Sequence, residues 1–282
     1  VIDFTDLSIL VAGDVCDDII LVGEASRLAR DAPACPILDI TARDTLAGGA
    51  AFVHAQVRAL GAASYLVPTG PATAKSRLFA VREGAASLLA RWDDRWPPQE
   101  PGSFSELLAS APPAAALVYS QVRRARPDGS IVRLCRDFAG LRVVDAHHPA
   151  YFAGCDALKI SLEDAWAALT PPRPPQTPVR AAEAASVLAE TYGYRLVVIT
   201  MGAEGYAAAV DGARISERGL ASAGATSGAG DVFTAALACA LAVRMEARDA
   251  LRLANSAAGL ACRDGRHLAT VSTADLSAIL EG

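Results

Sequence analysis

The sequence is short of lysine. Lys75 and Lys159 are the only two among its 26 basic residues, and the rest are arginine. With the abundance of alanine, this bias reads as the imprint of a GC-rich genome rather than of function. Positive charge is not in excess either: the formal net charge is −5, so no general basic field is present and no nucleic-acid partner is expected. The six cysteines (Cys16, Cys35, Cys135, Cys155, Cys239 and Cys262) form no C-x-x-C pair, and no histidine stands at zinc-finger spacing. Scattered thiols in a chain this large lead us to expect a reducing, cytoplasmic setting. The longest apolar run, Val232 to Val243, has 12 residues and is too short for a bilayer span. No basic segment leads into an apolar core near the N-terminus, so no secretory signal is expected. A start at Val1 suggests that some leading residues are missing.

Two nucleotide motifs are absent. A P-loop needs glycine immediately before lysine, but Lys75 follows Ala74 and Lys159 follows Leu158. A dinucleotide fingerprint needs three glycines, and the run from Gly228 through Gly230 carries Phe233 at the third position, late in the chain.

What is present describes a folded α/β protein. Of 282 residues, 52% are hydrophobic and 20% charged, enough for one domain over 1–282 with a sizeable core. Short apolar runs at Ser8–Ala12, Ser64–Val67, Ala115–Tyr119, Arg142–Asp145, Ala157–Ile160 and Leu196–Thr200 read as buried strands. Helical patterns lie between them at Ala50–Leu60, Asp128–Phe138 and Ala181–Tyr192, and three more follow at Asp231–Arg244, Ala247–Cys262 and Thr273–Leu280. Alternation of this kind argues for a mostly parallel sheet covered by helices. Two stretches, Asp17 to Thr45 and Thr73 to Trp92, break the alternation and are expected to pair as a small antiparallel lid. Proline-rich loops follow at 96–102 and 170–178.

Three segments could carry chemistry. In GATSGAGDVFTAALACALAV, small residues at Gly228, Ala229 and Gly230 precede a long apolar helix. Their backbone N–H groups can converge on an anion, and the helix dipole adds to the attraction. Asp231 in the first turn is expected to stay ionised by that dipole. An anion hole beside a carboxylate suits phosphoryl transfer; the same residues also read as a tight helix entry with Asp231 as a cap. Gly48 and Gly49 open a second helix, either for a ligand or as a plain turn. Asp14, Asp17 and Asp18 lie just past the first strand, where open α/β sheets bind ligands, or form a solvated acidic turn.

Taken together, GGAAFVHAQVRALGA near the N-terminus and TSGAGDVFTAALACALA near the C-terminus resemble the two signatures of the ribokinase or PfkB carbohydrate-kinase family. The opening GDVCDDIILVGEASRLARDAPACPILDI, the stretch TAKSRLFAVREGAASLLARWD and the end LANSAAGLACRDGRHLATVS are similar to the heptose-7-phosphate kinase branch. The resemblance implies a three-layer α/β/α fold with a mostly parallel sheet and a small β lid, from about 15–45 and 71–95. It implies ATP as donor, Mg²⁺ as cofactor and a homodimer through the lid. Asp231 would be the base and Gly228, Ala229 and Gly230 the anion hole. Asp14, Asp18, Gly48, Gly49, Phe52, Gln121 and Asp145 would meet the sugar, and Lys75, Arg77 and Arg91 its phosphate. Lys159, Ser161, Ser227, Thr200, Gly202, Gly205 and Asn255 would meet ATP, and Asp164 the metal.

The chain departs from the family pattern in places. Phe52 replaces a sugar-binding asparagine, and a ring could only stack there. Gln121 replaces an aspartate of the heptose branch, and His147 a lysine; His147 and His148 read as loop residues. Ser161 and Asp164 replace an asparagine–glutamate pair, and Ala225 an aspartate. Three functions remain open on these residues: a heptose-phosphate kinase, a kinase for a nucleoside, plain sugar or sugar acid, and a non-catalytic binding relative.

Overall fold

The computed structural model of the chain describes residues 2–82, 85–95, 105–169, 178–220, 227–263 and 268–280. Ala225 and most of the two proline-rich loops lie outside the described residues. Twelve strands are described: β1 Ser8–Gly13, β2 Val15–Leu28, β3 Pro36–Gly49, β4 Ala63–Pro68, β5 Thr73–Arg82, β6 Ala85–Asp93, β7 Ala116–Ser120, β8 Leu141–Asp145, β9 Ala157–Ser161, β10 Leu196–Thr200, β11 Tyr206–Val210 and β12 Ala213–Glu217. The helices are α1 Ala50–Ala59, α2 Ser105–Ala109, α3 Gly129–Asp137, α4 Leu162–Ala168, α5 Pro178–Tyr192, α6 Ala229–Ala242, α7 Ala247–Arg263 and α8 Thr273–Leu280. All six strands and all six helices expected from periodicity are found, with small differences at their ends.

The main sheet has the order β12-β11-β10-β9-β8-β7-β1-β4. The six strands from β10 to β4 are parallel, and the β11–β12 hairpin adds an antiparallel edge. Helices cover both faces, so the strands are apolar on both sides. Ile9 and Val11 of β1 join a core with α1, α6 and α7, whereas Leu10 and Ala12 join the opposite core with α3 and α5. Helix α6 is wedged between α1 and α7, and for that reason Val232 to Ala240 are buried all round. Among the described residues no helix is long and apolar enough to cross a membrane.

The second sheet corrects one expectation. Its order is β3-β2-β5-β6; the β2–β3 and β5–β6 pairs are antiparallel, but β2 and β5 run parallel. The reason lies in the main sheet. Strands β2 and β5 continue outward from β1 and β4, which are parallel neighbours, so the two hairpins leave side by side in the same direction.

Chain order places the functional crevice. From β1 the chain moves to β4 on one side, then returns to β7 on the other. The carboxyl ends of β1 and β7 therefore flank a topological switch point, the usual ligand site of open α/β sheets. The second sheet rises from the same edge.

Candidate active site

Helix α6 starts at a turn that only glycine can make well. Gly228 is left-handed, with φ 89°. A Cβ on it would also come within 2.6 Å of Leu268 Cδ2 and 2.7 Å of Phe52 Cε1. The first N–H groups of α6 have no partner within the helix and are available to an anion. This turn separates two cavities. Ser227, Gly228 and Asp231 line a charged one of about 310 Å³ that reaches across to the second sheet. Ala229 and Gly230 line another of about 280 Å³, whose walls include Phe233, Leu220 and Cys262. Thr200, Gly202, Gly205 and Asn255 all open onto this second cavity, with the Asn255 amide anchored to the Arg218 carbonyl at 2.8 Å.

Asp231 differs from its sequence expectation. Burial pushes its carboxyl up to about 7, and neighbouring Asp145 adds to this; Lys159 and Lys75 pull the other way. Desolvation thus outweighs the helix dipole. A carboxyl poised near neutrality suits a general base.

Lys159 and Ser161, grouped with ATP by resemblance, line the charged cavity beside Asp231 rather than the other one. Lys159 Nζ is 2.9 Å from Asp145 Oδ2. Burial opposes its charge, but Asp145, Asp231 and Asp164 raise its proton affinity overall.

Asp164 accepts from Arg124 at 3.2 Å and bonds His147 Nδ1 at 2.9 Å and Ser161 Oγ at 2.5 Å. Burial works against this carboxylate, yet His147, Ser161 and Arg124 hold it below its ordinary range. Among the described residues no group of three or more His, Cys, Asp and Glu side chains could hold a metal ion. Mg²⁺ keeps much of its water and rides largely on nucleotide phosphates. Asp164, already engaged through both oxygens, therefore fits contact with such an ion only through water.

The second sheet supplies the far wall. Lys75, Arg77 and Arg91 line the charged cavity with Asp18. Asp18 pairs with Arg77, and Arg91 grips Asp93 through two hydrogen bonds of 3.0 and 2.8 Å. Arg77 and Arg91 stand directly opposite each other on β5 and β6. Burial lowers the Arg77 pKa, and Arg91 lowers it further. Like charges facing each other across a sheet are unfavourable, and an anion between them relieves the repulsion.

Other expected sugar contacts are placed differently. Asp14 is buried, and its carboxylate is consumed by the protein: it accepts from the Val122 and Arg123 N–H groups, both at 2.9 Å, and from Arg123 Nε at 3.0 Å. It holds the turn after β7. Phe52 packs in the core beneath Gly228 and is not among the lining residues of the charged cavity. Gly48 lies inside β3 opposite Cys16, where a Cβ would meet Asp18 Oδ2 at 2.6 Å. Gly49 does line the cavity. Gln121 lines it too, but its amide bonds the Ala125 carbonyl and the His147 N–H. Arg124, which keeps the charge of a lysine in the heptose branch, pairs with Asp164; sequence reasoning missed Thr234, a polar residue in an apolar helix that touches the Asp145 carboxylate.

Gly49 permits a direct prediction. It precedes α1 with φ 61° and ψ −136°, and an added Cβ would strike the Asp14 carbonyl oxygen and Val122. Gly49→Ala should lower stability in urea denaturation by about 1–3 kcal/mol.

The model of the pfkB family of carbohydrate kinases matches residues 73–273. No curated protein sequence matches significantly. Among solved structures, phosphofructokinase-2 from Escherichia coli in complex with substrates and products is similar at TM-score 0.75 and 15% identity, covering 98% of both chains. Arabidopsis thaliana ribokinase complexed with ribose and ATP is similar at TM-score 0.74 and 17% identity, over 98% of this chain and 99% of that one. A ribokinase from Thermotoga maritima is similar at 0.73 and 16%, over 98% of this chain and all of the other.

Proposed function

Since the chain belongs to the pfkB family of carbohydrate kinases and has a ribokinase-like α/β fold, we propose that it transfers the γ-phosphoryl group of ATP to a hydroxyl of a phosphorylated sugar, of the heptose 7-phosphate class. The observation that carries this reading is the α6 turn standing between a charged cavity and a more apolar one, with Asp231 on the charged side.

In this reading the adenine occupies the cavity beside Asn255 and Gly259, and the phosphates pass the Gly228–Gly230 turn. The acceptor hydroxyl lies against Asp231, which takes its proton as the oxygen attacks phosphorus. The turn's N–H groups and Lys159 stabilise the charge on the transferred group, and ADP leaves. Mg²⁺, when bound with the nucleotide, neutralises phosphate charge; Asp164 would meet it through water. Lys75, Arg77 and Arg91 hold the acceptor's own phosphate. Three cations on one wall favour that acceptor over an uncharged sugar or nucleoside. Exposed Leu28, Ile40, Leu88 and Trp92 on the second sheet suit cover by a second copy of the chain, as a dimer through this sheet.

The test is ADP release with MgATP over a panel of heptose 7-phosphate, sedoheptulose 7-phosphate, fructose phosphates, ribose and nucleosides, with Asp231→Asn as blank. Turnover is expected on phosphorylated sugars. Turnover confined to uncharged acceptors would defeat the substrate assignment, and ATP binding without turnover on any acceptor would defeat the kinase reading.

A further inference from the structure

Beside Asp231 stands a buried ion pair whose place in the reaction differs from the acceptor contact expected of Asp145. The inference rests on Asp231 being the base. Asp145 and Lys159 are register partners on parallel strands β8 and β9, so their side chains leave the sheet on the same face. The ammonium reaches Asp145 Oδ2 at 2.9 Å, and the two side chains are only 10% and 16% exposed. The same oxygen lies 3.0 Å from Thr234 Oγ1, a fully buried hydroxyl three residues beyond Asp231 on α6 whose single proton is placed between this oxygen and the Gly230 carbonyl at 2.9 Å. On its other side the ammonium rests against the α6 turn: a Cβ on Gly230 would come within 2.9 Å of Nζ. One carboxylate oxygen is thus shared by a buried ammonium and a buried hydroxyl. An acceptor hydroxyl reaching for Oδ2 would have to displace a charge-assisted bond with a neutral one, so a direct acceptor contact would fall to Oδ1, and the acceptor KM of Asp145→Asn reads that contact.

We propose that Asp145 is a positioning residue rather than an acceptor ligand: it clamps the Lys159 ammonium against the Gly228–Gly230 turn and, through that pair, governs how readily Asp231 takes a proton. The charged and titratable groups facing Asp231 come from four strands: Asp145 on β8, Lys159 on β9, Lys75 on β5 and Cys16 on β2. Asp145 favours the protonated form of Asp231, whereas Lys159 and Lys75 favour the ionised form. Neutralising Asp145 leaves the Lys159 charge uncompensated next to Asp231. Neutralising Lys159 does the opposite. The two changes therefore carry opposite signs, which a general loss of packing would not produce.

The experiment needs no substrate. Side-chain carboxyl carbons of the full chain are titrated by ¹³C NMR, and the Asp231 signal is identified as the one lost in Asp231→Asn. Its midpoint is expected near 7. Asp145→Asn should lower it by about one pH unit, a tenfold change in proton affinity. Lys159→Gln should raise it, and Asp145→Glu should leave it near the native value. If Asp145→Asn does not fold, Lys159→Gln carries the test alone. On the acceptor that proves active, Asp145→Asn should lower kcat and move the acid limb of the pH profile with the NMR midpoint, with the acceptor KM changed by less than about threefold. A midpoint unmoved by either substitution overturns the proposal. So does an acceptor KM raised more than about tenfold with kcat and pH profile intact, which would make Asp145 an acceptor ligand. Turnover surviving in Asp231→Asn defeats the base assignment instead, and the NMR midpoints separate that outcome from failure of the Asp145 clamp.

Discussion

Asp231→Asn should reduce turnover by roughly 10³-fold or more, at the upper end of what loss of a positioned base costs. Nucleotide binding should survive, because the cavity beside Asn255 does not include the Asp231 side chain. In the native protein kcat/KM should fall on the acid side of about pH 7, where the buried carboxyl takes up a proton. The same carboxyl has a signature in stability. Its folded pKa is raised above the unfolded value of about 4. Its contribution is therefore fully present below the unfolded pKa and is lost as pH rises through the folded one. Ionisation thus works against the fold at alkaline pH. Asp231→Asn removes that penalty, so the unliganded variant should melt at a higher temperature than the native chain at pH 8. The gap should close as pH falls toward 4. Retained turnover, or a melting difference that does not depend on pH, would contradict this account of Asp231.

The second large effect is expected at Arg77. Its guanidinium pairs with Asp18 inside the charged cavity and stands opposite Arg91. Arg77→Ala should raise KM for a phosphorylated acceptor by about 10–100-fold, the loss of one charge-assisted phosphate contact, while KM for ATP stays within about twofold. The variant also leaves a buried carboxylate alone, which costs of the order of 3–5 kcal/mol when a pair is broken from one side. Asp18→Asn combined with Arg77→Ala separates the two consequences. Stability should return toward native in urea denaturation, whereas the acceptor KM should stay high. An unchanged KM in both variants would remove the phosphate from the proposed acceptor.

Much of the architecture was legible because the strands are buried on both faces and so appear as continuous apolar runs. Val197 to Ile199 and Leu117 to Tyr119 are examples. The β11–β12 hairpin went unrecognised although its signal was present. Asp211 and Gly212 join the strands with φ of 44° and 85°, the primed-turn geometry that an Asp-Gly pair favours. Helix α4 was hidden by its length of seven residues, too short to show a period; its start is marked by Ser161, whose hydroxyl accepts from the Asp164 N–H. In the site, local pattern identified the α6 turn but not the partners of its carboxylates. Asp14 and Asp18 look equivalent in sequence, yet one faces the β7 turn and the other faces Arg77. That distinction arises only where β2 turns away from β1. Likewise, the dipole of α6 is visible in sequence, but the burial that outweighs it comes from Asp231 being enclosed by parts of two sheets.

The scarcity of lysine acquires a practical meaning from where the two residues fall. Lys75 and Lys159 sit on different sheets, yet both line the charged cavity. The rest of the chain carries its positive charge on arginine, which does not acylate or condense with aldehydes under mild conditions. An amine-selective reagent, elsewhere a blunt instrument, meets only these two lysine side chains in the sequence besides the chain's α-amine, which peptide mapping sets apart. Lys75, half-buried and outside the ion pair that holds Lys159, is the first to be labelled. Protection of that single side chain then reports occupancy of the cavity by any candidate ligand, with no turnover required.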